Sequence, residues 1–267
     1  MWSESDQFFK NATSTTILAF DALVTISLWN SLEVIFVIFF TFKRYRGAYF
    51  WSLLIAAIGI IISTIGQLLL FFKTPPFNWV YLSLAIIGWW LFIVCQSLVL
   101  WSRLHLVLTN EKVIRGVLWM IITTAIIFLI PTSVLAYGSS SATAPEAFTN
   151  GINIMEPIQV TGFGIQEFII SAIYIRETAR LARIIIHRQS RIILLQLLFI
   201  NFVFVLMDCC LIALQYRHKR VAQVMVKTLV YSIKIKLELA VLRKMVDFAG
   251  GRNTLCSEED RGLPTSL

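Results

Sequence analysis

Residues 221–242 read VAQVMVKTLVYSIKIKLELAVL. The stretch is long enough to cross a bilayer as a helix, yet it holds Lys227, Lys234, Lys236 and Glu238. Whether it crosses decides the topology of the chain. Six earlier stretches, roughly 17–42, 48–72, 79–102, 114–137, 157–175 and 192–214, read as spans more simply. If 221–242 is a seventh and the N-terminus lies outside, fifteen of the 23 Lys and Arg fall in inner loops and the tail, five fall outside and three stay within the span. With six crossings the division is eleven inside and twelve outside. Cytosolic loops carry the excess of Lys and Arg, so the pattern predicts seven spans, an outer N-terminus and an inner C-terminus. Arg217, Lys219 and Arg220 then fall on the outer side, in a short turn whose bases reach the headgroups.

Composition points the same way. The chain has 267 residues, 58% apolar and 14% charged, with a mean hydropathy of +0.78. A soluble domain has about 45–50% and about 25%. A soluble enzyme, a disordered chain and a disulfide scaffold are therefore excluded. The net charge of +8 lies between apolar runs and reads as a topology signal rather than a nucleic-acid footprint. Cys95, Cys209 and Cys210 lie in apolar segments and Cys256 in the tail, so no disulfide framework is expected. Cys256 reads as a free cytosolic thiol or a palmitoylation site. The start, MWSESDQFFKNATSTT, lacks the positive region of a cleavable signal peptide, and the first span is expected to act as its own insertion signal. Asn11-Ala12-Thr13 is a glycosylation sequon close to that span. The expected organisation is one all-α seven-helix transmembrane bundle over 1–247 and a cytosolic tail over 248–267.

Local signals set the expected ends. Pro75 and Pro76 stop the second helix. Pro157 is expected to open the fifth, and Pro131 to kink the fourth. Trp2, Trp51, Trp79, Trp89, Trp90 and Trp101 read as interfacial aromatics.

Ionisable side chains inside a bilayer face the bundle and pair. The candidates are Asp21 and Glu33 on helix one, Glu167 on helix five, Asp208 on helix six, and Lys227, Lys234, Lys236 and Glu238 on helix seven. Lys227, Tyr231, Lys234 and Glu238 are spaced to share one stripe. Lys234 and Glu238 can pair within the helix, and Lys236 can snorkel inward. Glu167, Ser171 and Tyr174 share a face of helix five, as do Asn201 and Asp208 on helix six. Gln67, Gln96, Gln159 and Gln166 add amides. These stripes suit three roles: glue between helices, a ligand or ion pocket between helices one, five, six and seven, or a proton relay. After helix five, Arg176, Arg180, Arg183, His187 and Arg191 read as one cationic stripe. With Arg103 it would form a cytosolic basic face that grips anionic lipid, docks an acidic partner, or simply snorkels.

Three blocks carry a resemblance: CQSLVLWSRLHLV at 95–107, IMEPIQVTGFGIQEFIISAIYIRET at 154–178 and LVYSIKIKLELAVL at 229–242. Together they are similar to an uncharacterised fungal family of seven-helix integral membrane proteins, a domain of unknown function, over roughly 20–247. Cys95, Pro157 and Arg243 stand where members often have Gly, Lys and a nearby Asn. The resemblance implies a membrane location and a seven-helix bundle, but no reaction.

Other chemistries fail on their motifs. Retinal binding needs a Schiff-base lysine with an Asp four residues earlier, but Gln223 and Val230 precede Lys227 and Lys234. Ser102-Arg103-Leu104 lacks the acid and aromatic of the receptor triplet, and no NPxxY follows. Gly162-Phe163-Gly164 follows no strand. His105, His187 and His218 have no metal spacing, and no nucleophile elbow exists. The expectation is a protein that is not an enzyme and has neither metal nor cofactor. It is a receptor-like sensor with a small-molecule ligand and a cytosolic signalling partner, in the plasma membrane or another secretory-pathway membrane. The alternatives are a small-solute or proton-coupled transporter and a scaffold without ligand.

Overall fold

The computed structural model describes residues 14–41, 47–71, 78–108, 110–140, 146–184, 188–216 and 226–240. Among the described residues the chain forms seven helices and no strand. They are α1 (Ser14–Thr41), α2 (Ala48–Phe71), α3 (Asn78–Val107), α4 (Glu111–Ser139), α5 (Glu146–Ile184), α6 (Arg188–Gln215) and α7 (226–240). Helices α1 to α6 are each long and apolar enough to cross a membrane. The Asn11 sequon, His187, Cys256 and the 248–267 tail lie outside the described residues.

Polarity is inverted relative to a protein dissolved in water. Trp29, Phe36, Phe40, Phe168 and Phe199 are exposed, while Gln96, Glu167, Asn201, Lys234 and Glu238 are buried. A bilayer favours this arrangement, because apolar side chains need no shelter from lipid and polar ones do. Helical backbone groups bond within their own helix except at its ends and at Pro131 and Pro157, which have no N–H to donate. Polar side chains close local bonds as well, with Thr64, Ser133 and Thr132 each donating to the carbonyl four residues earlier.

Small residues set the closest packing. A Cβ at Gly88 of α3 would overlap the backbone of Ser63, and one at Gly66 of α2 the backbone of Ala85. These antiparallel helices therefore approach until Ser63 donates to the Ala85 carbonyl at 3.3 Å, the close packing that membrane interfaces favour. One apolar cluster joins α1, α2, α3 and α7 through Val34, Leu53, Ile60, Phe92 and Ile235. A second joins α3 to α6 through Leu104, Ile121, Ile170 and Phe204.

Two helix ends depart from the sequence-based expectation. α5 starts at Glu146, so Pro157 lies inside it rather than at its first turn. The polar run before Pro157 reads as loop, but a proline is tolerated inside a membrane helix where neighbouring groups satisfy the freed carbonyl. At 39 residues, α5 is about 58 Å long, well beyond one hydrocarbon layer. α3 also continues through Ser102–His105 to Val107. Trp89 and Trp90 lie in the middle of α3 and not at its end. Trp90 donates to Ser133 of α4 at 3.0 Å.

Candidate functional site

Polar contacts from α7 reach the five helices α1, α2, α3, α5 and α6. Its Lys234 is 1% exposed. The ammonium donates to Glu167 of α5 at 2.6 Å and also to Asp208 of α6. The Tyr231 hydroxyl donates to the other Glu167 oxygen at 3.3 Å. Lys234 sits one turn from Tyr231, so both side chains enter the seam between α5 and α6. Beside this cluster, Asn201 donates to the Ser171 carbonyl at 3.2 Å and Gln166 to Ser97 at 3.0 Å.

Glu238 does not pair with Lys234. It is fully buried and accepts from Arg103 of α3 at 2.5 Å. The Arg103 guanidinium lies 5.0 Å from the Tyr174 ring centre and 6.0 Å from that of Phe204. Arg103 is therefore an interior residue, not part of a cytosolic basic face. The i,i+4 spacing permits the local pair, but Lys234 already has two carboxylates and Glu238 lies beside the buried Arg103 guanidinium. Tyr49 of α2 donates to the Glu238 carbonyl at 3.3 Å.

Lys236 does not snorkel alone. It donates to Glu33 of α1 at 2.6 Å and to Asn30 at 3.3 Å. Both partners of this ion pair are half-exposed, so Glu33 sits at the α1–α7 edge rather than in the polar core. Asp21 is exposed on α1, again away from the core. Arg176, Arg180 and Arg183 are exposed on the last turns of α5, while His187, the fourth member of the stripe, lies outside the described residues. α5 ends at Ile184 and Arg191 belongs to α6.

Lys227 has a different environment. Its ammonium lies over the Trp89 ring, 4.8 Å from the centre, and among the described residues no carboxylate comes within ion-pair distance. It lines a cavity of about 150 Å³ with Gln67, Trp89, Phe92, Glu156 and Gln159. The Gln159 Nε2 and Trp89 Nε1 donors have no partner among the described residues. A smaller void of about 20 Å³, lined by Lys227, Tyr231 and Asp208 among others, has room for one water. Lys227 lines both this void and the cavity. Sequence reading singled out Lys227, Gln67 and Gln159 but gave Glu156 no role and placed Trp89 at an interface. A polar residue at a span end that repeats the spacing of buried neighbours, as Glu156 does with Gln159 and Phe163, is the signal that could have found it. Among the described residues no group of His, Cys, Asp and Glu could hold a metal ion, and Cys95, Cys209 and Cys210 are free.

No curated protein and no solved structure matches the chain. A family model matches residues 10–260, which takes in all seven helices and both the ionic clusters and the cavity. The chain belongs to the family described as Domain of unknown function (DUF7703).

Proposed function

We propose that this chain is a seven-span, receptor-like membrane sensor without enzymatic activity. Its N-terminus lies outside and its C-terminus in the cytosol of a plasma or other secretory-pathway membrane. A small ligand binds between the helices, and the exposed Arg176, Arg180 and Arg183 of α5 meet a cytosolic partner. One observation carries the reading. α7 holds a lysine without an ion pair among the described residues beside a cavity at one end, and ion pairs to α1, α3, α5 and α6 along the rest of its length. A ligand that moves Lys227 moves the helix to which those pairs are anchored. A bistable packing of α7 would then convert occupancy into a shift at the far end.

The test is a thermal-unfolding screen of the purified protein against a panel of small metabolites, joined to a flux assay in proteoliposomes. A ligand at a hundred times its dissociation constant stabilises by about 2.7 kcal/mol. The sensor reading expects such a shift and no flux of that solute. Flux of the stabilising solute would replace it with a transporter. No shift across the panel would replace it with a scaffold.

A transporter has one observation in its favour. Two carboxylates, Glu167 and Asp208, face the single ammonium of Lys234 beside a water-sized void. A shared proton on such a group is the raw material of proton coupling, and pH-dependent solute flux that stops in Asp208→Asn is its signature.

A further inference from the structure

We infer that the cavity beside Lys227 is a binding site for a small zwitterion with an apolar body, the chemistry of an apolar amino acid. The inference rests on the ligand-binding reading above and narrows it to one site and one ligand class.

Opposite charges line one cavity without closing an ion pair. Lys227 comes from α7 and Glu156 from α5, and both line the space. In an apolar layer two such groups would normally close on each other, because an unpaired charge there is costly. Here the lysine rests on the face of Trp89 instead. That contact attracts a cation but supplies no hydrogen-bond acceptor. A ligand that carries both charges completes both groups at once: its carboxylate meets Lys227 and its ammonium meets Glu156.

The remaining lining fits the same ligand. Gln159 is 1% exposed, and its Nε2 donor has no acceptor among the described residues. Trp89 Nε1 is in the same condition. Two unspent donors beside a lysine favour a carboxylate, which accepts several hydrogen bonds. Leu82, Ile86, Phe92 and Ile152 supply an apolar wall. A volume of about 150 Å³ accepts a body of benzene size, which matches a branched aliphatic side chain with its head group turned toward the polar wall. A ligand with only one charge would leave the other protein charge unanswered, so the site discriminates by the partner it would strand.

The experiment compares three molecules with one isobutyl body: L-valine, isovalerate, which lacks the ammonium, and isobutylamine, which lacks the carboxylate. Each is titrated against the full-length protein in lipid nanodiscs, with thermal unfolding and calorimetry as readouts. L-valine is expected to raise the unfolding temperature and release or take up heat, and each half-ligand to bind at least tenfold more weakly. Lys227→Met should abolish valine binding. Glu156→Gln should weaken valine at least tenfold and bring isovalerate level with it, because the stranded carboxylate is gone. A variant that fails to fold is distinguished by its far-UV spectrum, and Lys227→Arg then serves in place of Lys227→Met, with valine binding retained. Isovalerate binding as tightly as valine to the unchanged protein would overturn the zwitterion. A metabolite other than a zwitterion whose shift is lost in Lys227→Met would overturn the ligand class and leave the sensor standing. A ligand indifferent to both substitutions would overturn the site. Silence from every metabolite would take the ligand-binding reading down with it.

Discussion

Lys227 and Lys234 stand two turns apart on the same helix, and their surroundings differ in kind. Lys234 enters the α5–α6 seam and meets two carboxylates. Lys227 meets an aromatic face and a cavity. A buried charge that is answered by protein groups fixes helices in place, and its removal leaves the partners stranded. A half-buried charge that closes no ion pair fixes helices far less firmly, and in an apolar layer it persists only at a cost. On the proposed reading the pair separates architecture from binding within one helix, and mutagenesis can break that separation.

The largest effect is expected at Lys234. Replacing it with Met removes the only ammonium between Glu167 and Asp208 and leaves two carboxyl groups facing each other. A broken buried pair costs about 3–5 kcal/mol. Titration of the purified protein with a denaturing detergent should report a loss of this size. A loss below about 1 kcal/mol would mean that the cluster does not fasten α7 to α5 and α6.

Arg103 tests whether the same holds at the far end of the helix. Arg103→Met alone should cost about 3 kcal/mol, because Glu238 is left buried without its partner. Adding Glu238→Leu should recover at least half of that loss, since two well-packed apolar residues are close to neutral in place of a buried pair. The double-mutant cycle isolates the coupling. Additive losses would assign the Arg103 effect to its packing on Tyr174 and Phe204 rather than to charge.

These two clusters also mark where sequence reading stops. Hydropathy and the distribution of bases find the helices, because the bilayer imposes length and sidedness on each span separately. Periodicity likewise puts Glu167 with Tyr174, and Lys234 with Tyr231, on single faces. Pairing between helices has no such period. Arg103 stands in the polar run Ser102–His105 at the end of an apolar stretch, so it reads as interfacial. Only the continuation of α3 to Val107 and the position of Glu238 bring it inside. Lys234 and Glu238 satisfy a local rule, and tertiary partners override it. The Pro157 start fails for a related reason. Asn150, Asn153 and Glu156 look like loop, but within α5 they belong to a helix that continues beyond the apolar run, and Glu156 then becomes part of a cavity wall.

Lys227→Met should move stability far less than Lys234→Met. Removing a half-buried cation that closes no ion pair among the described residues, with Glu156 only sharing its cavity, is expected to change stability by no more than about 1 kcal/mol. The same detergent titration reads both variants. A loss comparable to that of Lys234→Met would make Lys227 a structural cation and erase the contrast between the two layers.

The smallest effects grade the comparison by burial. Side-chain exposure of the basic partner rises from 1% at Lys234–Glu167 to 43% at Lys236–Glu33 and 74% at Arg115–Glu111. The last pair is an i,i+4 contact on the first turn of α4, where an exposed helix pair contributes about 0.3–0.5 kcal/mol. Glu111 also sits beside the Asn110 cap, whose side chain accepts from the Lys112 amide at 3.1 Å, so Glu111→Gln keeps the helix start intact. Its expected loss stays below about 0.5 kcal/mol and falls further with added salt, which screens exposed charges. Glu33→Gln should fall between this value and that of Lys234→Met. It removes the carboxylate from Lys236 but leaves the amide of Asn30 as an acceptor at 3.3 Å. If Glu33→Gln costs no more than Glu111→Gln and shows the same salt dependence, the α1–α7 edge is wet at that depth. If it costs several times more and ignores salt, Lys236 faces lipid, and the fastening of α7 extends to α1 through a charge that has no water to fall back on.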